Sequence, residues 1–136
     1  MIKLITIISV LCSLFVISSS FFQKADLAKS IKRGKEVYKS YCINCHMEDG
    51  KGTPDFNPPL AKADYIKNPA KTLINIILEG QSGEITVNKK KYNSFMPPQY
   101  YLSDGQVADV MNYIRNTWGN KVAGLVTPSQ VKALRK

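Results

Sequence analysis

The chain has 136 residues, which implies one domain, and no internal repeat or low-complexity segment follows its first twenty residues. Its formal net charge of +9 is dispersed: Lys32, Arg33, Lys35 and Lys39, then Lys89 to Lys91, then Lys132, Arg135 and Lys136. No dense basic run with interleaved aromatics exists, which excludes a nucleic-acid arm; what remains is a solvated, solubilising surface or a positive face that steers an acidic partner protein.

The chain opens as an export signal. Lys3 supplies a positive charge, Leu4 to Ile17 is apolar apart from Thr6, Ser9 and Ser13, and Ser18-Ser19-Ser20 supplies small residues at a cleavage position. The expected division is a signal peptide over 1–20 and a working domain over 21–136, placed in the periplasm. The competing reading is an uncleaved anchor over Leu4 to Phe22, near the shortest length that spans a bilayer. Cys12 follows Leu11, whereas a lipidated cysteine wants a small residue before it.

A first helix is expected from about Asp26 to Cys45, with Ile31, Gly34, Tyr38 and Tyr41/Cys42 on one face. Gly34 in mid-helix costs about 1 kcal/mol against alanine, so close packing of another helix is its expected reason. Gly50, Gly52, Pro54, Pro58 and Pro59 mark residues 47–62 as loop. Asn68 as N-cap and Pro69 as first helical residue begin a helix over 69–79, with Leu73, Ile76 and Ile77 on one face and Gly80 as the stop. Residues 84–93 suit a small hairpin turning at Asn88-Lys89. A capping box from Ser103 to Gln106 starts a last long helix that carries Val107, Val110, Met111, Ile114 and Trp118 and ends at Gly119. Thr127-Pro128-Ser129-Gln130 repeats the start signal for a short tail helix. So much loop in so small a chain implies a centre that is not built from side chains alone.

The chemistry concentrates in Ser40 to Gly50, SYCINCHMEDG, which holds Cys42, Cys45 and the single histidine, His46. A structural zinc site wants four ligands, and adjacent Cys45 and His46 do not easily reach one tetrahedral ion. A redox dithiol wants Cys-x-x-Cys at a helix start after a strand, and here the motif ends a helix. Cys-x-x-Cys-His read as a covalent haem attachment site fits both the spacing and the export signal: Cys42 and Cys45 form thioethers and His46 is the proximal ligand. With no second histidine, methionine is the next candidate for the other axial position. Met1 belongs to the leader, Met47 adjoins His46, and Met111 reads as core filler. Met96 remains, fifty residues after His46, in a loop stiffened by Pro97 and Pro98. The other ring nitrogen of His46 needs an acceptor, and a carbonyl of the loop 54–59 is the expected supplier.

Together these residues resemble a class I c-type cytochrome, a mono-haem protein with His/Met ligation. Gly34 and Tyr38 on the first helix, Cys42 to His46, Pro58-Pro59-Leu60, Met96-Pro97 and Tyr113 on the last helix stand where that family has its glycine and aromatic, its haem motif, its Pro-x-Leu loop, its distal Met-Pro and its crossing aromatic. The stretches NPPLAKADYI, GEITVNKKKYNSFMPP and NYIRNTWGN are similar to small cytochromes or cytochrome domains that serve periplasmic dehydrogenases and copper nitrite reductases. Two departures stand out: Met47 occupies a position after the haem histidine that is often glycine, and lysines replace the usual hairpin-turn glycine.

The resemblance implies an all-α cytochrome c fold around one covalent haem c, with a small β-hairpin before the distal Met loop. It implies that the Pro58 carbonyl accepts from His46, that Leu60 packs on the haem, and that Tyr113 presses on Gly34. The implied function is one-electron transfer by a monomer, without enzymatic activity. Its partners would be a dehydrogenase or the bc1 complex upstream and an oxidase or reductase downstream; there is no nucleic acid, and the membrane is involved only if the leader stays. The alternatives are a haem enzyme with a labile sixth ligand and a dedicated subunit of an oxidoreductase complex.

Overall fold

The computed structural model describes residues 26–136; the signal-peptide and anchor expectations lie outside the described residues. Helix α1 runs to residue 41 and is followed by one short turn, α2 (Ile43–His46). A 3-10 turn (Asp64–Lys67), α3 (Ala70–Glu79), the antiparallel strands β1 (Ile85–Val87) and β2 (Lys90–Tyr92), α4 (Asp104–Arg115) and α5 (Pro128–Lys132) complete the order. Residues 47–62 are loop, as expected. No helix among the described residues is long and apolar enough to cross a membrane.

The α1 face that packs inward carries Ser30, Gly34, Val37 and Tyr38, with Ile31 and Cys42 half-buried. Tyr41, placed on that face by spacing, is instead exposed and its ring packs 5.8 Å from that of Tyr101. Gly34 sits where α1 crosses α4. A Cβ there would lie 2.0 Å from the backbone oxygen of Asp109 and 2.8 Å from the Cβ of Tyr113. Tyr113 is at the crossing as expected, but the tightest contact is the α4 backbone itself. The crossing is clasped by Asp109, which accepts from Ser30 Oγ (2.6 Å) and from Arg33 Nε and Nη2 (2.6 and 2.7 Å). Buried Asn112 extends the clasp, donating to Ser30 Oγ (2.9 Å) and the Val126 carbonyl (2.8 Å) and accepting from Val126 N (2.9 Å). This network covers the second face of α4, which is why Val107 to Arg115 are all buried rather than one stripe of them.

Both capping boxes form as read, Ser103 with Gln106 and Thr127 with Gln130, and Pro128 stands in the first turn of α5. The end of α4 differs. The helix stops at Arg115, and Trp118 has φ 53, outside helical space. Its indole is drawn into an aromatic trio with Tyr38 (5.0 Å) and Tyr113 (5.2 Å), a packing preference that overrides helix continuation. The start of α3 moves by one residue: Pro69 is the N-cap, while Asn68 closes the preceding 3-10 turn by donating to the Tyr65 carbonyl. Gly80 ends α3 at φ 81.

The hairpin turns at Asn88 and Lys89, both at positive φ (50 and 66), the backbone of a type I′ turn. Asn88 tolerates this conformation because its side chain is engaged: Oδ1 accepts from Asp64 N (2.9 Å), and Asn88 N donates to Asp64 Oδ1 (2.8 Å). Lys89 occupies the glycine position at φ 66, where its Cβ carries the steric cost of left-handed backbone. The register pairs Ile85 with Tyr92 and Val87 with Lys90, turning Val87 and Tyr92 inward.

Candidate haem-binding site

The helices and hairpin surround an apolar cavity that is partly open to solvent. Cys42, Cys45, His46, Pro58, Leu60 and Met96, the six residues singled out from sequence, all line it. α3 contributes Leu73, Ile76 and Ile77, the face read from its periodicity, and α4 contributes Val110, Met111, Ile114 and Arg115.

Each site residue is held by its neighbours in the chain. His46 N bonds to the Cys42 carbonyl (3.0 Å), so the short turn α2 sets the spacing of both thiols and the imidazole. His46 Nδ1 lies 3.2 Å from the Pro58 carbonyl. A carbonyl can only accept, so Nδ1 carries the proton and Nε2 keeps its lone pair for a metal. Burial, which favours the neutral form that a metal requires, holds the His46 pKa below the usual imidazole value, and the hydrogen bond to the Pro58 carbonyl opposes it. Leu60 is fixed by its backbone: its N donates to Gly50 (2.8 Å) and its carbonyl accepts from Asn120 Nδ2 (2.8 Å).

Met96 exchanges two backbone hydrogen bonds with Gln81 (2.9 and 3.0 Å), and Gln99 N donates to the Ile77 carbonyl (2.8 Å). The Met96 loop is thus stitched to the end of α3. Gly80 permits this approach, because a Cβ there would lie 2.6 Å from the Met96 oxygen. Sequence reasoning credited the stiffness to Pro97 and Pro98 alone; the bridge to Gln81 carried no sequence signal. Met111 also lines the cavity, at 2% exposure, which accords with core filler.

The chemistry of the donors separates the three readings of the motif. Among the described residues no group of three or more His, Cys, Asp and Glu side chains is placed to hold a metal ion, so Cys42, Cys45 and His46 do not converge as a zinc site would require. The Cys42 thiol is pushed up to about 12, first by burial and then by Cys45, the opposite of the depressed pKa that a reactive dithiol needs. The thiols are unpaired, half-buried at Cys42 and exposed at Cys45, beside an apolar cavity. That arrangement fits a large apolar ring system anchored at its edge and approached by an imidazole.

Met47, directly after His46, adopts φ 61 and ψ 164, a region that is essentially glycine-only. Its carbonyl accepts from the buried Tyr38 hydroxyl (2.7 Å), which holds the strained residue in place. Met47→Gly is therefore expected to stabilise the folded protein by about 1 kcal/mol, the strain relieved less the extra chain entropy of glycine. Denaturant unfolding of both proteins measures it, and equal midpoints would refute it.

The cytochrome c family model matches residues 31–118. The chain is 38% identical over 106 residues to the cytochrome c subunit of a quinone-type alcohol dehydrogenase from Gluconacetobacter polyoxogenes, covering 75% of this chain and 22% of that one. It is 36% identical over 110 residues to cytochrome c-552 of Thermus thermophilus, covering 75% of this chain and 83% of the relative. Over 126 residues it is 33% identical to the gluconate 2-dehydrogenase cytochrome c subunit of Pantoea cypripedii, covering 85% of this chain and 28% of that one. The chain thus spans about a quarter of the length of the dehydrogenase subunits and most of cytochrome c-552. With the matched region running from α1 through the aromatic trio, this chain belongs to the cytochrome c family, whose cofactor is covalently attached haem c.

Proposed function

We propose that this protein is a periplasmic one-electron carrier with a single haem c, joined through Cys42 and Cys45 and ligated by His46 and Met96. The observation that carries the reading is that these four side chains, drawn from two segments fifty residues apart, line one apolar cavity. When bound, the haem supplies a one-electron iron couple. The chain's part is to saturate the iron and exclude water. His46, oriented by Pro58, and Met96, held by Gln81, leave no position for a substrate, which argues against an enzyme. Leu60 and the α3 and α4 side chains keep the surroundings dry, and a methionine ligand favours a higher potential than bis-histidine. The domain begins after a signal peptide over 1–20 and acts as a monomer. The dispersed positive charge suits acidic protein partners: a dehydrogenase or bc1 complex as donor, an oxidase or reductase as acceptor.

The names of the relatives support a second reading, in which the chain is a dedicated cytochrome subunit or domain of a dehydrogenase. Co-purification with one oxidoreductase distinguishes it from a free shuttle.

The primary test is a visible spectrum, oxidised and reduced, of protein made with a haem-attachment system. The expected result is a low-spin spectrum with the methionine charge-transfer band in the oxidised form and no CO binding by the reduced form. Tight CO binding by the native protein would overturn the electron-carrier reading in favour of a haem enzyme.

A further inference from the structure

Three tyrosine rings stand together on the outside of the molecule. Tyr41, Tyr100 and Tyr101 are 45%, 69% and 58% exposed. The ring centroids of Tyr41 and Tyr101 are 5.8 Å apart at an interplanar angle of 57°, and those of Tyr100 and Tyr101 are 5.9 Å apart at 78°. Rings left this open to water gain little from burial, so core packing does not account for the cluster.

The backbone under each ring is fixed. Cys42 N donates to the Tyr38 carbonyl at 2.9 Å, which holds the end of α1 that carries Tyr41. Leu102 N donates to the Gln99 carbonyl at 3.1 Å, and Arg135, beyond α5, donates to the Tyr100 carbonyl at 2.8 Å. The Tyr101 hydroxyl donates to Oε1 of Gln99, a residue that lines the cavity. Tyr41 directly precedes Cys42, and Tyr101 follows Met96 by five residues. The two rings therefore meet across sixty positions of sequence and bridge two site-bearing segments from outside.

The buried tyrosines supply the contrast. Tyr38 and Tyr113 lie closer, at 5.4 Å, but are 1% and 7% exposed. The Tyr38 hydroxyl donates to the Met47 carbonyl, and burial pushes its pKa up. A phenol gives up an electron readily only as its proton leaves. That proton has no route to water at Tyr38, whereas Tyr41 and Tyr101 are open to solvent.

We infer that Tyr41 and Tyr101 form an oxidative cross-linking site whose product straps α1 to the Met96 loop. The co-reactant is a strong one-electron oxidant, such as an oxygen radical, at two equivalents per cross-link. Each phenol yields one electron to an oxidant and its hydroxyl proton to water. The two phenoxyl radicals then form one carbon–carbon bond between ring positions ortho to the hydroxyls. The two ortho hydrogens pass through water to the phenoxyl oxygens, which restores both hydroxyls and both aromatic rings. The net loss is two hydrogen atoms, carried away as two electrons and two protons. The new bond closes a loop of sixty positions, and such closure restricts the unfolded chain more than the folded one.

The chemistry of the cross-link is independent of the haem reading, whereas its hold on the Met96 ligand rests on it. The test treats dilute purified protein with photo-excited tris(bipyridine)ruthenium and persulfate. Covalent haem is scored from the spectrum before oxidation, and the cross-link from peptide masses after it, so the two readings fail separately. The wild-type monomer is expected to lose two hydrogen atoms, with the peptides that carry Tyr41 and Tyr101 joined in tandem mass spectra. Tyr41→Phe and Tyr101→Phe keep the rings but are expected to lose the joined peptide, and Tyr100→Phe is expected to retain it. In denaturant, the cross-linked wild type is expected to unfold at a higher midpoint than Tyr41→Phe oxidised in the same way. Joining only between molecules, a bond confined to Tyr100 and Tyr101, or equal midpoints would overturn the inference.

Discussion

Replacing Met96 with leucine is expected to abolish the sulfur-to-iron charge-transfer band of the oxidised protein. The same change should open the reduced form to CO and lower the reduction potential by roughly 0.2 V, a fraction of the about 0.8 V over which axial ligands set haem potentials. The matched control is Met111→Leu. Both methionines line the cavity, but they are held differently. Met96 lies on a loop whose backbone is bonded to Gln81 on both sides, so its side chain has a fixed base and need not pack to keep its place. Met111 stands on α4 between Val110 and Asn112 at 2% exposure, and an isosteric change there is expected to cost under about 1.5 kcal/mol with the band intact. Absorption spectra of the two variants check both statements. Loss of the band in Met111→Leu with retention in Met96→Leu would exchange the assignments.

The second large effect is expected at the helix crossing. Gly34→Ala places a methyl group where the Asp109 carbonyl already lies, 2.0 Å from its oxygen. A backbone atom cannot rotate away as a side chain would, so α1 and α4 must separate. That movement also pulls apart the hydrogen bonds of Ser30 and Arg33 to Asp109. The expected cost is about 3 kcal/mol or more, even after the roughly 1 kcal/mol that alanine gains over glycine in a helix. Because domains of this size hold only about 5–15 kcal/mol in total, the variant should show a clear drop in unfolding midpoint. Gly105→Ala is the informative comparison. It lies in the first turn of the same helix with its nearest neighbour at 3.9 Å, so the propensity gain is expected without the clash. Denaturant titrations of the two variants should move in opposite directions, and a Gly34→Ala midpoint equal to wild type would show that the crossing is looser than the contact implies.

These two tests divide along the line between what the chain announces and what the fold adds. The haem motif, the capping boxes at Ser103 and Thr127, the stop at Gly80 and the need for a packing reason at Gly34 were legible because each is settled by residues within one or two turns. Where Asn68 and Trp118 were misplaced, local signals were read correctly but lost to competitors: a 3-10 turn took the Asn68 side chain, and Tyr38 and Tyr113 took the indole of Trp118 out of α4. The glycine-like backbone at Met47 and Lys89 is the converse case. The departures from the family pattern were visible in sequence, but that the backbone keeps the glycine conformation with other residues in place was not.

By itself, then, the sequence determined the cofactor class and the identity of its anchors, because covalent attachment requires two thiols and an imidazole at one short spacing. It also determined where most helices begin, because caps are bonds between near neighbours. The tertiary structure alone decided what joins distant segments: the Ser30–Asp109–Asn112 clasp across 79 positions, the Gln81 bridge that holds Met96, and the Arg135 guanidinium that donates to the Tyr100 carbonyl. The physical reason is common to all three. A polar group's partner is chosen by where the chain folds back, and a serine, a glutamine or an arginine carries no local mark of whether water or another segment will satisfy it.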